Sequence, residues 1–258
     1  MFADLKKARE LGWMLFRRDV KARYTQKLLG CTWIVIEPLL IVGGFFMLQN
    51  GGVIKSGDAE QSKIFLLSTL AYFMWLLVQN LTMNSARMVG NNAGLMSKIN
   101  FPRIAIISSP VMTSCIDFLI RVGMFLIFCL IFQIPFNPLN LLGLTLLIPG
   151  ILLGIGVGMF FSIVGSVVRD LHNVLTHSFF FLLLITPILY AAPKEGIIGT
   201  LCNYNPMYYL ILVPRDFIFD GTISYPIPYL ISALFAFIAF LAGWRFFNLS
   251  LIKIIEKI

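Results

Sequence analysis

Six long runs of apolar residues constrain the fold of this chain more than any other feature of its sequence. A helix needs about 20 predominantly apolar residues to cross the hydrocarbon core of a bilayer. The runs near this length are Thr32–Leu48, Ile64–Thr82, Val111–Phe132, Leu144–Val164, Thr176–Ala191 and Pro228–Phe246. With 59% hydrophobic and only 12% charged residues, the chain is too apolar for a soluble globular domain. The sequence therefore predicts an all-α membrane protein with six transmembrane helices.

The basic residues outside these runs lie mostly on one side of the membrane. Lysine and arginine number 15 on the side of both termini, counting Arg245 at the edge of the sixth run, and four on the other side. Because cytoplasmic loops carry the excess of these residues, we expect both termini in the cytoplasm. The net charge of +8 then reflects orientation and contact with anionic headgroups rather than binding of nucleic acid.

The first 30 residues predict an amphipathic helix ahead of the first span. Trp13, Phe16 and Val20 recur on one helical face, whereas Arg17 and Lys21 lie on others. Such a helix is expected to lie along the membrane surface with its apolar side down. We therefore expect a single membrane domain over 1–258, with an interface helix at 1–30, a six-span core at 32–246 and a cytoplasmic tail at 247–258.

The stretch from Pro193 to Tyr225 is too broken for a span and too apolar for a solvated loop. Its apolar runs are shorter than a crossing, and several proline and glycine residues interrupt them. Two short re-entrant or interfacial helices fit best. An ordinary loop on the outer headgroups is the alternative, because tyrosines such as Tyr204 are typical interface anchors.

The sequence lacks the residue patterns that an enzyme active site or a metal site would need. His172 and His177 are five apart and so lie on different helical faces, and the four cysteines have no metal-ligand spacing. The sequence also contains no Gly-x-x-x-x-Gly-Lys-Ser/Thr, the motif of a P-loop nucleotide site. We therefore predict no catalytic residue, no metal and no cofactor on this chain.

Two charges and one glycine repeat lie inside the predicted spans. Asp117 and Arg121 are four apart on the third span and can pair on one face. Each charge alone would cost roughly 2.5–3.5 kcal/mol to insert. The pair either faces a translocation path or partner, or locks one helix packing. Gly150, Gly154 and Gly158 on the fourth span predict close approach of another helix.

Short motifs follow one another along the chain in an order that resembles a known transporter family. They are Arg18-Asp19, Lys21, Arg23-Tyr24, Leu29-Gly30, Trp33, Pro38-Leu39, the segment 98–102 (KINFP), Arg169-Asp170-Leu171, the segment 186–190 (TPILY), Asn205-Pro206-Met207, Arg215 and Gly221. In this order, within six hydrophobic spans, they resemble the permease subunits of ABC-2-type exporters of bacterial surface polysaccharides.

The resemblance implies a function, partners and a location. The cargo would be a lipid-linked polysaccharide, O-antigen or teichoic-acid-like, moved across the cytoplasmic (inner) membrane of a bacterium. Two copies of the chain would form the pore, and two separate P-loop ATPase subunits would bind ATP and Mg²⁺. The spans alone do not report cargo, so export of a capsule polymer, a drug or a small lipid is an alternative.

The resemblance also assigns roles to segments at the two membrane surfaces. A short helix in 91–102 would dock into the ATPase, with the loop at 169–172 as a second contact. The coupling residues are Asn91, Lys98, Arg103, Arg169 and Asp170. The region from Pro193 to Tyr225 would form an outer gate. Its candidate residues are Pro193, Asn205, Pro206 and Arg215.

Four aromatic residues are candidates to line a channel for a glycan. Sugar rings present C–H faces that stack on aromatic side chains, and the polar tips of Trp and Tyr need water or a partner. These candidates are Trp33, Tyr72, Trp75 and Tyr190. Packing within the membrane is the alternative for each of them.

Two other classes of membrane protein would need different patterns. A membrane-embedded transferase would need reactive His or carboxylate clusters at the membrane edge, which the sequence lacks. An ion-coupled secondary transporter is a further alternative, but it would usually show internal repeats. We see no repeat between the two three-span halves of the chain.

Overall fold

The computed structural model describes residues 2–25, 32–51, 61–96, 103–134, 137–168, 170–190 and 196–255, and these ranges contain helices and no strand. The α-helices are α1 (Phe2–Thr25), α2 (Trp33–Asn50), α3 (Gln61–Ala86), α4 (Met88–Met96), α5 (Arg103–Ile131), α6 (Ile148–Val167), α7 (Leu171–Ile185), α8 (Gly196–Tyr204), α9 (Pro206–Asp220) and α10 (Pro226–Ile255). A 3₁₀ helix, Pro138–Leu147, leads into α6. The predicted all-helical class is confirmed.

Among the residues that the structure describes, four helical stretches are long and apolar enough to cross a membrane. They are Gln61–Met96, Ile104–Ile131, Pro138–Val167 and Pro226–Leu251. They contain the second, fourth and sixth predicted spans and all of the third except its last residue, Phe132. The first predicted span matches the shorter apolar helix Trp33–Leu48. The fifth overlaps the shorter apolar helix Leu171–Ile185 only over 176–185, because that helix starts earlier and ends before Thr186. The count of six crossings therefore stays a prediction.

Helix α3 lies at the centre of the bundle. It packs against α5 and α6, and its largest side chains, Phe73 and Trp75, have no exposed surface. A helix that is apolar on all sides is stable only when neighbours surround it, and residues 69–78 are buried without interruption. The central position of α3 follows from this composition.

Glycines let α6 approach two neighbours closely, as predicted. A Cβ on Gly154 would lie 3.0 Å from Leu81 Cβ of α3, and one on Gly158 would overlap Ser85. On another face of α6, a Cβ on Gly156 would lie 2.5 Å from Phe240 Cα of α10. The predicted close helix contact is confirmed, and α6 makes two of them.

The helical stretch of the fourth predicted span begins before Leu144, the residue at which the sequence predicts its start. The Asn137 side chain accepts a hydrogen bond from the Leu139 amide at 3.0 Å, and Pro138 occupies the first turn of the 3₁₀ helix. Both residues favour a helix start. Before them, Gln133 turns the chain with a φ of 53° after α5 ends.

Two helices, α8 and α9, fill the region predicted to hold two short helices. Most of α9 is buried, including Leu210, Ile211 and Val213, and it packs against the 3₁₀ helix, α10 and α3. Asn205 caps α9, and Gly221 ends it in the left-handed conformation at φ 69°. The region is thus a packed part of the bundle, and its depth in the membrane stays a prediction.

The predicted N-terminal helix forms α1, which packs on α5. The face against α5 includes Gly12, Leu15 and Phe16, whereas Trp13 is 45% exposed. A Cβ on Gly12 would overlap the Ser108 hydroxyl, so this glycine permits the close contact. Leu15 and Gly12 were not part of the predicted apolar face.

Candidate functional site

A polar cavity of about 390 Å³ lies where α1, the α3–α4 junction and α5 meet. Its walls come from Asp19, Ala22, Asn84, Arg87, Met88, Asn91, Asn92, Pro110 and Thr113. We call the cavity and the hydrogen bonds around it the polar junction. It lies at the end of the bundle where α3 finishes and α5 begins.

Asp19 connects α1 to α5 in the polar junction. Its Oδ2 accepts a hydrogen bond from the Ser109 hydroxyl at 2.7 Å, and Ser109 is buried. Its Oδ1 accepts from Arg18 Nε and Nη2 at 2.9 and 2.7 Å. A carboxylate that accepts from a buried hydroxyl makes a strong, charge-assisted hydrogen bond. This contact fixes the N-terminal helix on the third predicted span.

Arg18 also connects α1 to α4. Its Nη2 donates to Asn92 Oδ1 at 2.8 Å, and the Asn92 amide donates to the Met88 carbonyl at 2.7 Å. Nearby, Asn84 Nδ2 donates to Ser114 Oγ of α5 at 3.0 Å. Polar contacts therefore connect α1 to α4 and α3 to α5 at this end of the bundle.

Arg87 and His172 connect the α3–α4 turn to the start of α7. Arg87 Nε donates to His172 Nδ1 at 3.1 Å, so this nitrogen must be unprotonated. His172 lies before the fifth predicted span. Burial, and then the positive charge of Arg87, lowers the pKa of His172 below its usual 6.5. The contact thus favours a neutral imidazole.

The predicted coupling residues lie near this end of the bundle where the structure describes them. Asn91 lines the cavity, and Arg103 is the first residue of α5. Asp170 precedes α7 and is two residues from His172, which contacts Arg87. Lys98 and Arg169 lie outside the described residues. Docking of an ATPase at these residues stays a prediction.

Sequence reasoning missed the residues that hold the polar junction together. The sequence pattern presents Asp19 only as part of a motif, and it gives no role to Ser109 or Asn92. A signal for Asp19 does exist, since it is a lone carboxylate within the basic run RRDVKAR at 17–23. Its partners gave no local signal, because Ser109 is 90 residues away along the chain.

The predicted intramembrane charges are buried within the chain. Asp117 and Arg121 are 3% and 4% exposed. Arg121 Nε points to the Ile34 carbonyl of α2 at 3.4 Å, and Tyr72 lies within electrostatic reach of both Glu37 and Arg121. The charges therefore lie where α2, α3 and α5 meet, and their role in transport or in packing stays a prediction.

The four aromatic channel candidates have different surroundings. Trp33 is 39% exposed at the start of α2. Tyr72 and Trp75 are buried, and Trp75 packs edge-on against Phe179 while its Nε1 donates to Gln79 at 3.1 Å. The Tyr190 hydroxyl donates to the Leu184 carbonyl. Trp75 could line a channel only if its neighbours moved, whereas the side chain of Trp33 is already accessible in this structure.

The predicted outer-gate residues lie around α9. Asn205 Nδ2 donates to the buried Thr186 hydroxyl at 2.7 Å, so two motifs of the sequence meet here. Pro206 begins α9, and Arg215 forms an ion pair with Asp216 at 2.6 Å. Pro193 lies outside the described residues. The gate role of these residues stays a prediction.

One ion pair ties α9 to the beginning of α3. Lys63 Nζ lies 3.1 Å from Asp220 Oδ1, and the same ammonium lies 5.8 Å from the centre of the Phe219 ring. Lys63 lies in the first turn of α3, which runs from Gln61 to Ala86, and Arg87 follows its end. This pair and the polar junction therefore lie at opposite ends of α3. Within the described ranges, no group of three potential metal ligands occurs.

Comparison with known proteins finds relatives that match most of the chain. It is 27% identical over 216 residues to the O-antigen export system permease protein RfbA of Klebsiella pneumoniae, covering 82% of this chain and 81% of that protein. It is 25% and 26% identical over 242 residues to two polysialic acid transport proteins KpsM of Escherichia coli, covering 89% of each chain. No protein-family model matches the chain. The resemblance to permease subunits of polysaccharide exporters is confirmed, and it extends over most of the chain.

Proposed function

We infer that this chain is the membrane-spanning permease subunit of an ATP-driven ABC-2-type exporter of polysaccharide. The observation that carries this inference is the similarity, over at least 82% of the chain, to an O-antigen export permease and to polysialic acid transport proteins. In the described part of the chain, four helices long and apolar enough to cross a membrane support it. The cargo we propose is a lipid-linked polysaccharide, O-antigen or teichoic-acid-like.

The energy for export comes from a separate polypeptide in this proposal. The chain has no P-loop motif, so two ATPase subunits bind ATP and Mg²⁺ and hydrolyse the nucleotide. Two copies of this chain form the pore above them. The assembly resides in the cytoplasmic (inner) membrane, with both termini of each chain in the cytoplasm, as the distribution of lysine and arginine indicates.

The polar junction supports a route by which the ATPase could act on the spans. In this proposal α4 and the segment after it dock on the ATPase. Arg18 ties α4 to α1 through Asn92, and Asp19 ties α1 to α5 through Ser109. A displacement of α4 by the motor would therefore move α1 and α5 with it. Closure of the ATPase dimer on ATP would spread the spans in this way.

The opposite end of the bundle supports an outer gate. Helix α9 is held by Asn205 at its beginning and by the pair Lys63–Asp220 at its end. Surface ion pairs are worth about 0–1 kcal/mol, so the second of these contacts can open at little cost. We propose that α8 and α9 move to release the glycan, while Trp33 lies on its path.

A capsule polymer is the second candidate cargo. The similarity to polysialic acid transport proteins supports a polysaccharide cargo other than O-antigen. Both cargoes are glycans, so one permease mechanism serves either. Stimulation of ATP hydrolysis by each candidate cargo would separate them, and would also separate a drug or a small lipid. An ion-coupled secondary transporter would transport in the absence of ATP.

The experiment that tests the proposal is purification of the native complex. The chain is extracted with a gentle detergent, co-purifying proteins are identified by mass spectrometry, and ATP hydrolysis is measured. We expect a P-loop ATPase in equal amount and with activity. A chain that is isolated alone and inactive, under conditions that preserve another membrane complex, would contradict the proposal.

A further inference from the structure

The cavity of the polar junction has the size and the walls of a small-molecule site. Its volume of about 390 Å³ falls within the range of roughly 300–1,000 Å³ typical of ligand pockets. Six of its nine lining residues carry polar side chains, and three helical segments supply them. The remaining three, Ala22, Met88 and Pro110, provide an apolar patch beside the polar groups.

The polar groups of the cavity include both hydrogen-bond donors and acceptors. The Asp19 carboxylate accepts only, the Arg87 guanidinium donates only, and the amides of Asn84, Asn91 and Asn92 do both. A phosphate or another anion would be repelled by Asp19, and a cation by Arg87. A wholly apolar ligand would remove these groups from water without replacing their hydrogen bonds. A neutral ring that carries several hydroxyl groups can donate hydrogen bonds to Asp19 and accept them from Arg87, and neither charge repels it.

Hydrogen bonds outside the cavity hold its walls in place. Oδ1 of Asp19 accepts two hydrogen bonds from Arg18, whereas Oδ2 accepts one from Ser109 and keeps a lone pair for a further donor. Asn92 is fixed by Arg18 and by the Met88 carbonyl. Walls held in this way lose little conformational freedom when a ligand binds, which favours affinity.

We propose that this cavity binds a sugar ring of the exported glycan at the cytoplasmic end of the permease. The proposal rests on the proposed function, because a glycan cargo supplies the polyhydroxyl ring. Vicinal hydroxyls bond to Asp19 and to the asparagine amides, and a C–H face of the ring lies on Met88 and Pro110. The cavity thus holds one unit of the cargo beside the helix that receives the motion of the ATPase.

Photo-crosslinking in cells tests this assignment on the full chain in its complex. The photoreactive residue p-benzoylphenylalanine replaces Ala22 on one wall or Asn91 on the other, and the glycan is labelled metabolically with ¹⁴C-glucose. The control position is Gly90, which neighbours Asn91, is exposed and lies outside the cavity lining. A Cβ on Gly90 meets no atom of the chain within 4 Å, so the control side chain starts in open space.

We expect labelled glycan on the chain from at least one cavity position, at about fivefold or more above the Gly90 control. The adduct should disappear in a strain that cannot make the glycan. Cavity positions that give no more label than Gly90, in cells that export normally, would overturn the proposal and leave the exporter function intact. An adduct that persists without the glycan would also overturn it, because a membrane glycolipid would then be the ligand.

A transport measurement separates sugar binding in the cavity from docking of the ATPase. Asn84 lines the cavity from α3 and lies outside the predicted docking segment. For Asn84→Ala we expect the glycan concentration at half-maximal stimulation of ATP hydrolysis to rise about threefold to tenfold, with the same amount of co-purified ATPase. Unchanged half-maximal stimulation would overturn the sugar site, and loss of co-purified ATPase without a change in half-maximal stimulation would assign this wall to docking instead.

Discussion

Ser109 of α5 donates a hydrogen bond of 2.7 Å to the carboxylate of Asp19 in α1, across 90 residues of sequence. This contact gives the N-terminal helix a fixed position on the bundle. A helix that only lay on the lipid headgroups would not need a buried hydrogen-bond donor for its carboxylate. Transmission of motion from α4 to α5 through α1 depends on this fixed position.

Loss of the Asp19 carboxylate should destabilise the protein and weaken the transmission of motion from the ATPase to the spans. A hydrogen bond to a charged group contributes about 1.5–3 kcal/mol, and Asp19→Ala also leaves the buried Ser109 hydroxyl without this acceptor. In a double-mutant cycle of Asp19→Ala and Ser109→Ala, thermal unfolding in detergent should give a coupling energy of about 1–2 kcal/mol. The matched control is Ser108→Ala, since Ser108 donates to Ala105 instead. Additive effects of Asp19 and Ser109 would contradict the contact.

Adding a methyl group between α6 and α10 should destabilise the protein. A Cβ on Gly243 would overlap the Gly156 carbonyl, which is backbone and cannot rotate away. Overpacking typically costs about 1–3 kcal/mol, so Gly243→Ala should lower the unfolding temperature and the amount of chain in the membrane. Gly123→Ala is the control, because a Cβ there meets no atom within 4 Å. Equal behaviour of the two variants would show that α6 and α10 are not packed as described.

The contact between Arg87 and His172 should make stability depend on pH. The pKa of His172 is lowered in the folded chain, so the unfolded chain binds the proton more readily. The stabilisation is present above about pH 6.5 and is lost as the pH falls through and below that value. Between pH 7.5 and pH 5.5 the unfolding temperature should fall less in His172→Gln than in the wild type. His177→Gln, five residues along on an exposed part of α7, should behave like the wild type.

Charge reversal in the predicted docking segment should uncouple the motor from export. Lys98→Glu with Arg103→Glu replaces two positive charges near α4 and the start of α5. We expect glycan export to fall at least tenfold, while the abundance of the chain in the membrane is unchanged. Lys194→Glu, in a loop predicted on the opposite side, serves as the control. Normal export in the double variant would remove this segment from the docking surface.

The sequence predicted those parts of the fold that local patterns determine. The continuous apolar stretch of α3 predicted a span. The spacing of Gly150, Gly154 and Gly158 predicted a close contact of α6 with another helix, and the structure identifies this helix as α3. The early start at Asn137 and Pro138 was also readable, but hydropathy alone placed the boundary at Leu144.

The sequence could not predict contacts between residues that are far apart along the chain. The polar junction joins α1 to α4 and α5 across 74 and 90 residues, and periodicity carries no information about such pairs. The surroundings of Trp75 are a second feature that the sequence could not predict. Its aromatic character is compatible with a channel or a core, and only the packing of α3 against Phe179 places it in the core of this chain.

Export of glycan by cells that lack this chain tests the central claim most directly. The chain is depleted from its host, ¹⁴C-glucose is supplied, and labelled polysaccharide is measured at the cell surface and inside the cytoplasmic membrane. We predict that surface label falls while lipid-linked polysaccharide accumulates inside, and that the wild-type chain restores export. Unchanged surface polysaccharide, with no accumulation inside, would contradict the assignment of this chain as a polysaccharide export permease.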